Sequence, residues 1–487
     1  MSTSLIIAVI IGYFVTLFVI SYFTSRNSNN DTFFIGNRKS PWYLVSIAMI
    51  GTSISGVTFI SVPGWVLTSQ FSYMQMVLGY LLGYFVVANV LLPLYYRLNL
   101  KSIYTYLDAR FGFYSYKTGA FLFLVSRVIG SAFRLFIVSN VLQLSIFNAL
   151  GVPFWVTVSI TVLLIWLYTR KGGVRTVLWT DSFQAIAMLT AVSLCVYYIS
   201  SDLNLSLPGI VKAVSSSPLS RVWFFDDPNQ RFYFWKQFLG GAFITIVMTG
   251  LDQDMMQKNL SCRNYKDARK NMYWYGFAFL PVNLLFLSLG VLLHTFAVQK
   301  GIPLPALSDD LFPTLATQGY LPQIVGVLFF LGLIAAAYSS ADSALTALTT
   351  SFTIDVLNTK GMDEDRLRRV RQWVHVFISI LMILVIIVFN AFNDRSVIDA
   401  IFTIAGYTYG PLLGLYAFGL FTRFQVNDKL VPFIAVFSPL ACYLLNKYSI
   451  LLFNGYKFGF ELLIVNGAIV FLLLLITRKR GVLVQKV

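Results

Sequence analysis

The sequence predicts an all-α integral membrane protein of about thirteen transmembrane helices, with its N-terminus outside and its C-terminus inside. Three observations lead there. Of 487 residues, 57% are hydrophobic and 11% charged, against roughly 25% charged in a soluble domain. Apolar segments fall at about 4–23, 42–67, 73–96, 118–147, 153–169, 177–200, 233–256, 273–297, 322–350, 373–393, 397–421, 430–446 and 458–477, most of them near the ~20 residues a span needs. Twenty-six Lys and Arg residues, Lys258 among them, lie in one alternate set of loops and seven in the other, the asymmetry that orients a membrane protein. The net charge of +16 is therefore a topology signal rather than a nucleic-acid surface.

The first segment, 4–23, has no Lys or Arg before it and no small-residue cleavage site close behind, so it reads as a retained span. No soluble domain interrupts the chain, and the longest polar loop is roughly 201–232. Cys195, Cys262 and Cys442 show neither metal-site spacing nor a disulfide framework.

Two segments carry helix-weakening residues at membrane depth. In "YLVSIAMIGTSISGVTFISVPGWV", Gly51, Thr52, Ser53, Ser55, Gly56 and Thr58 crowd the centre. In "LGGAFITIVMTGLDQDMMQKN" the interruption is expected around Gly240, Gly241, Thr245 and Gly250. A small-residue packing face is the alternative reading of such glycines. The two segments are five spans apart, and broken helices at matching positions of two halves point to an inverted-repeat transporter. Opened carbonyls there are hard oxygen ligands suited to a small cation.

The ninth segment adds polar side chains of the same kind. Ala336, Ser339, Ser340 and Ser343 share one helical face, and Ser339, Asp342, Ser343 and Thr346 form an overlapping stripe. Back-bonding to the helix accounts for Thr349 and Thr350. Asp342 is different: in hydrocarbon it must be paired, protonated or ion-bound.

Three stretches, "SISGVTFISVPG" (53–64), "RKGGVRTVLWTDSFQ" (170–184) and "AAYSSADSALTALTTSFTIDV" (336–356), resemble the sodium:solute symporter family of sodium/glucose, sodium/proline and sodium/sialic acid transporters. The resemblance implies a LeuT-type fold with a 5+5 inverted repeat: one transmembrane domain over 1–487, with a peripheral span at 4–23, repeats at 42–200 and 233–421, and two peripheral spans at 430–477. It implies sodium-driven uptake by alternating access, one or two Na+ ions, and multi-pass placement in the cell (inner) membrane. Matched residue by residue, the main sodium site falls on Gly51, Ile54, Ala336, Ser339 and Ser340, and a candidate second site on Asp181, Ser339, Asp342 and Ser343. Asp342 departs from the family, which has a hydroxyl there. Asp181 has another reading, a helix N-terminal charge. Asp252 and Asp254 match a polar inner end that is gating or structural.

By the same resemblance the substrate candidates are Ser53, Ser55, Thr58, Gln75, Arg134, Thr245 and Thr403. Arg134 sits in mid-segment, where a guanidinium must face a partner or a wet cavity. It suits a carboxylate, as in the sialic acid branch, or else it pairs with Asp342 or another internal acid. The span at 273–297 lacks the lysine of the sugar transporters. Sialic acid or another carboxylate-bearing solute is expected first, a sugar next. A proton-driven transporter and a transporter-derived sensor are the alternatives, the short tail after Thr477 counting against a sensor. No metalloprotease or hydrolase motif supports an enzyme, and the expected partners are the substrate and the lipid bilayer, with no nucleic acid and no obligatory protein.

Overall fold

The computed structural model describes residues 3–26, 28–148, 150–357, 359, 361–392 and 397–483. Lys360, Arg395 and Lys486, three of the loop cations, lie outside them. Each of the thirteen apolar segments contains helix among the described residues. The helices are α1 (Thr3–Ser25), α2 (Trp42–Ser53), α3 (Gly56–Ser69), α4 (Tyr73–Val86, continued to Arg97), α5 (Phe113–Leu142), α6 (Phe154–Thr169) and α7 (Val174–Asp202). They continue with α8 (Phe234–Thr245), α9 (Gln253–Leu260), α10 (Tyr265–Gln299), α11 (Gln323–Ser351), α12 (Glu364–Phe392), α13 (Val397–Phe421), α14 (Val431–Lys447) and α15 (Leu462–Ile476). A short antiparallel pair, β1 (Phe424–Val426) with β2 (Arg478–Leu483), joins the end of α13 to the segment after α15.

Burial ranks these helices. In α11 and its extension, 83% of the most apolar window is covered by protein, whereas in α1 it is 22% and in α14 28%. A helix apolar all round and enclosed is central; the outer two present most of their surface to lipid. α11 packs against α7 and α5, and α7 also packs against α2. The polar residues of α11 are therefore in the middle of the molecule.

Both expected breaks are present. α2 and α3 meet at 58° across Ile54 and Ser55. Ile54 leaves the helical region (φ −82°, ψ 88°) and Ser55 is extended (φ −85°, ψ 173°). The Ser55 amide turns to the Ser53 carbonyl, so carbonyls that a continuous helix would satisfy are released. Ser340 Oγ from α11 donates to one of them, Thr52 O, at 3.0 Å, as backbone at membrane depth requires.

The second break follows Gly250 directly and not Gly240 or Gly241. A π-helical turn at Ile246–Gly250 leads to a 63° bend at Leu251 and Asp252. Tyr95 and Tyr104 hydroxyls donate to the Gly250 and Leu251 carbonyls at 2.7 and 2.9 Å. Asp252 caps α9, accepting from the Asp254 and Met255 amides. Gly240 and Gly241 lie in unbroken helix instead. A Cβ at Gly241 would strike the Met76 carbonyl of α4, and one at Gly79 the Phe238 carbonyl of α8. These glycines serve close helix packing, because a side chain would hold the two backbones apart.

Gly241→Leu is expected to lower the unfolding temperature of the detergent-solubilised protein, with an overpacking cost of about 1–3 kcal/mol. Gly12→Ala in α1, where a Cβ would meet nothing within 4 Å, is expected to stay within about 1 kcal/mol of the wild type in the same assay.

Candidate ion and substrate site

Four helices converge on Asp181 of α7. Its Oδ2 accepts from Thr52 Oγ1 of α2 at 2.8 Å and from Lys258 Nζ of α9 at 2.6 Å, and its Oδ1 accepts from Ser339 Oγ of α11 at 2.9 Å. Lys258 Nζ also donates to Thr52 Oγ1. Asp181 and Ser339 are 0% exposed and Lys258 is 1%. A carboxylate buried this deeply requires a cation and hydrogen bonds, and it has both.

Gly51 lies beside this carboxylate. A Cβ there would stand 2.6 Å from the Asp181 carbonyl and 3.3 Å from Ser339 Oγ, so the residue must be glycine for the break to reach α7 and α11. Ser339 and Ser340 thus meet the first break, with buried Ala336 one turn back. Carbonyls and hydroxyls next to a carboxylate form an all-oxygen donor set that fits a small hard cation.

The second proposed set is divided. Ser343 donates to Asp254 rather than toward Asp181. Asp342 Oδ2 accepts from Tyr168 OH at 2.8 Å and Thr180 Oγ1 at 3.3 Å, and its Oδ1 has no hydrogen-bond partner. Arg134 is not its counter-ion.

Below the break, Arg127 pairs with Asp254 and lies 3.8 Å from Asp252, whose Oδ2 accepts from Tyr409. This ties α5 to α9 and α13. It assigns the two acids of the polar inner end: Asp252 is a cap and Asp254 an ion-pair partner.

A cavity of about 110 Å³ lies beside the break. Ser53, Ser55, Thr58, Arg134 and Thr245 line it, with Thr52 and Arg127. Arg134 forms no ion pair among the described residues, and its Nε has no hydrogen-bond partner. Two expected residues are elsewhere. Gln75 is wholly buried and engaged with the loop before α8, donating to Phe232 O at 2.9 Å and accepting from Phe224 N at 3.2 Å. Thr403 lines a separate cavity with Arg231, Asn446 and Lys457.

Sequence reasoning missed a tyrosine wall. Tyr73, Tyr80 and Tyr84 of α4 line the cavity beside Tyr275 of α10, and Tyr275 OH contacts Ser53 Oγ at 2.5 Å and Tyr84 OH at 2.9 Å. The spacing of seven and four residues on one helical face was the available signal. Lys258 was missed because it stands among loop cations in "QKNLSCRNYKDARK"; the structure corrects that placement.

The family's sequence profile, described as the sodium:solute symporter family, matches residues 33–429. The chain belongs to this family. Its relatives include the human sodium/iodide cotransporter (26% identity over 80% of this chain and 61% of that one) and the sodium/sialic acid symporter NanT of Aliivibrio fischeri (25% over 85% and 82%). This chain thus spans less than two thirds of the first relative and most of the second. Among solved structures, a Na+-coupled sialic acid symporter in a substrate-bound outward-open state superposes with a TM-score of 0.83 at 21% identity, covering 99% of both chains. A nucleobase-cation-symport-1 family transporter follows at 0.54 and 14%. The architecture is the LeuT-type fold, and this member of the family is a multi-pass membrane transporter rather than an enzyme.

Arg127 and Asp254 are 5% and 2% exposed. Removing one member of such a pair costs about 3–5 kcal/mol, while replacing both with apolar residues is far milder. Asp254→Leu is therefore expected to depress the unfolding temperature strongly, and Arg127→Leu/Asp254→Leu to recover much of it in the same thermal assay.

Proposed function

We propose that this transporter is a sodium-coupled symporter that imports a small polar solute bearing a carboxylate, sialic acid or a similar acid ahead of a neutral sugar. One observation carries the substrate class: Arg134 faces the cavity beside the broken helix with no acidic partner. An unpaired guanidinium in a dry interior is costly, and a bidentate carboxylate relieves that cost. Relatives are named for sialic acid, iodide and monocarboxylates, all of them anions. Ser53, Ser55, Thr58 and Thr245 offer hydroxyls to the rest of the solute, and the tyrosine wall supplies rings and further hydroxyls.

The transported sodium binds the carbonyls of Gly51, Ile54 and Ala336 and the hydroxyls of Ser339 and Ser340. It bridges α11 to the first break and so holds the solute cavity in its receiving form. Solute then closes the outer side, and the Arg127–Asp254 pair with its Tyr409–Asp252 neighbour parts as the inner side opens. Loop charge places the N-terminus outside and the C-terminus inside an energised cell (inner) membrane. A potential there contributes ~2.3 kcal/mol per charge per 100 mV. All of this lies within one transmembrane unit, with residues 42–200 and 233–421 as the two repeats.

A proton-driven reading draws on Asp342, whose carboxylate meets hydroxyls alone. Proteoliposomes separate the two. Uptake of a labelled sialic acid or monocarboxylate is expected under an inward sodium gradient and not under potassium or a pH gradient; uptake driven equally by all three would sink the sodium reading. Arg134→Gln is expected to reduce carboxylate binding at least tenfold, about 1.4 kcal/mol, while sodium-induced stabilisation persists. Undiminished carboxylate binding would remove Arg134 from the site.

A further inference from the structure

The second sodium position implied by the Trp-Thr-Asp motif has most of its ligand atoms already engaged, Asp342 Oδ1 excepted. Asp181 Oδ2 holds the Lys258 ammonium at 2.6 Å. Ser343 is turned to Asp254, and Asp342 to Tyr168 and Thr180. Of the four residues matched to that site, Ser339 alone bonds Asp181 directly. The disagreement has a physical source in Lys258, a loop cation by sequence that the bend after Leu251 brings into the interior.

We propose that Lys258 supplies the cation of this position from within the chain, so that transport is coupled to one sodium where the full ligand set would take two. The inference rests on the sodium-coupled reading above. An ammonium and a sodium ion carry the same charge and compete for the same carboxylate. The ammonium is covalently tethered, and tethering alone sets an effective concentration of millimolar or higher. It also uses Thr52 as a second acceptor. A sodium ion entering at Asp181 would leave the ammonium buried without its ion pair, an outcome the interior penalises heavily. Of the further charged groups, Asp342 of α11 and Arg127 of α5 act most on Lys258. Arg127 is already paired with Asp254.

The geometry also gives Lys258 a role that a free ion lacks. It links α9, the arm beyond the second break, to α2, which leads into the first break, and to α7. The built-in cation travels with α9 and is never released, so it contributes a contact that switches with conformation and no ion gradient.

Sodium titration of the purified full-length protein, at constant ionic strength with potassium as the replacement ion, reads this directly through intrinsic tryptophan fluorescence. The wild type is expected to titrate with a Hill coefficient of about one. Lys258→Met is expected to steepen the curve toward two and to shift it to lower sodium, with Asp181→Asn in the same chain returning it to about one; Lys258→Arg should resemble the wild type. A wild-type coefficient near two that Asp181→Asn lowers to one overturns the proposal, as does an unchanged curve in Lys258→Met. If Lys258→Met fails to fold, Lys258→Met/Asp181→Asn removes both charges together: a curve like the wild type's supports the proposal, and a shallower one overturns it. A flat response to sodium in every protein overturns the sodium-coupled reading itself, and this inference with it.

Discussion

Asp181 carries a carboxylate where water does not reach, and the centre of the molecule is arranged to satisfy it. Neutralising it takes a cation from α9, and completing its hydrogen bonds takes hydroxyls from α2 and α11. The two broken spans and the most enclosed helix are thereby joined at one side chain. In a low-dielectric interior these interactions are strong when complete and costly when partial. A movement of any one of the three arms is therefore felt by the other two.

The breaks obey the same rule by different means. At Ile54 and Ser55 the released carbonyls meet serine hydroxyls and the proposed ion, both of which can let go. At Leu251 and Asp252 the carbonyls meet tyrosine hydroxyls, and the free amides at the start of α9 meet the Asp252 carboxylate. The first break keeps exchangeable partners and the second has permanent ones. This contrast matches a ligand-binding role at the first and a structural, arm-positioning role at the second.

Thr52 and Arg127 both line the cavity. Thr52 donates to Asp181 while its own carbonyl is held by Ser340. Arg127 reaches Asp254, which Ser343 of α11 also touches. The proposed solute and ion sites therefore share a set of contacts, and coupling between them needs no path longer than a few side chains.

Much of this was legible in the sequence. Apolar length and loop charge determined a helical membrane protein, and glycine-hydroxyl clusters determined the first break, because an isolated span in lipid is governed by its own composition. The hydroxyl face of α11 and an arginine requiring a partner followed from the same logic. Partner choice did not follow. Asp342 meets Tyr168 rather than Arg134, Ser343 meets Asp254, Gln75 engages the loop before α8, and Lys258 is interior rather than cytoplasmic. Each depends on where a bend aims a helix, and a bend of about 60° redirects every residue beyond it. Sequence thus decided which groups had to be satisfied, since desolvation is a local cost; only the packed structure decided by whom, since that is a matter of direction across helices distant in the chain.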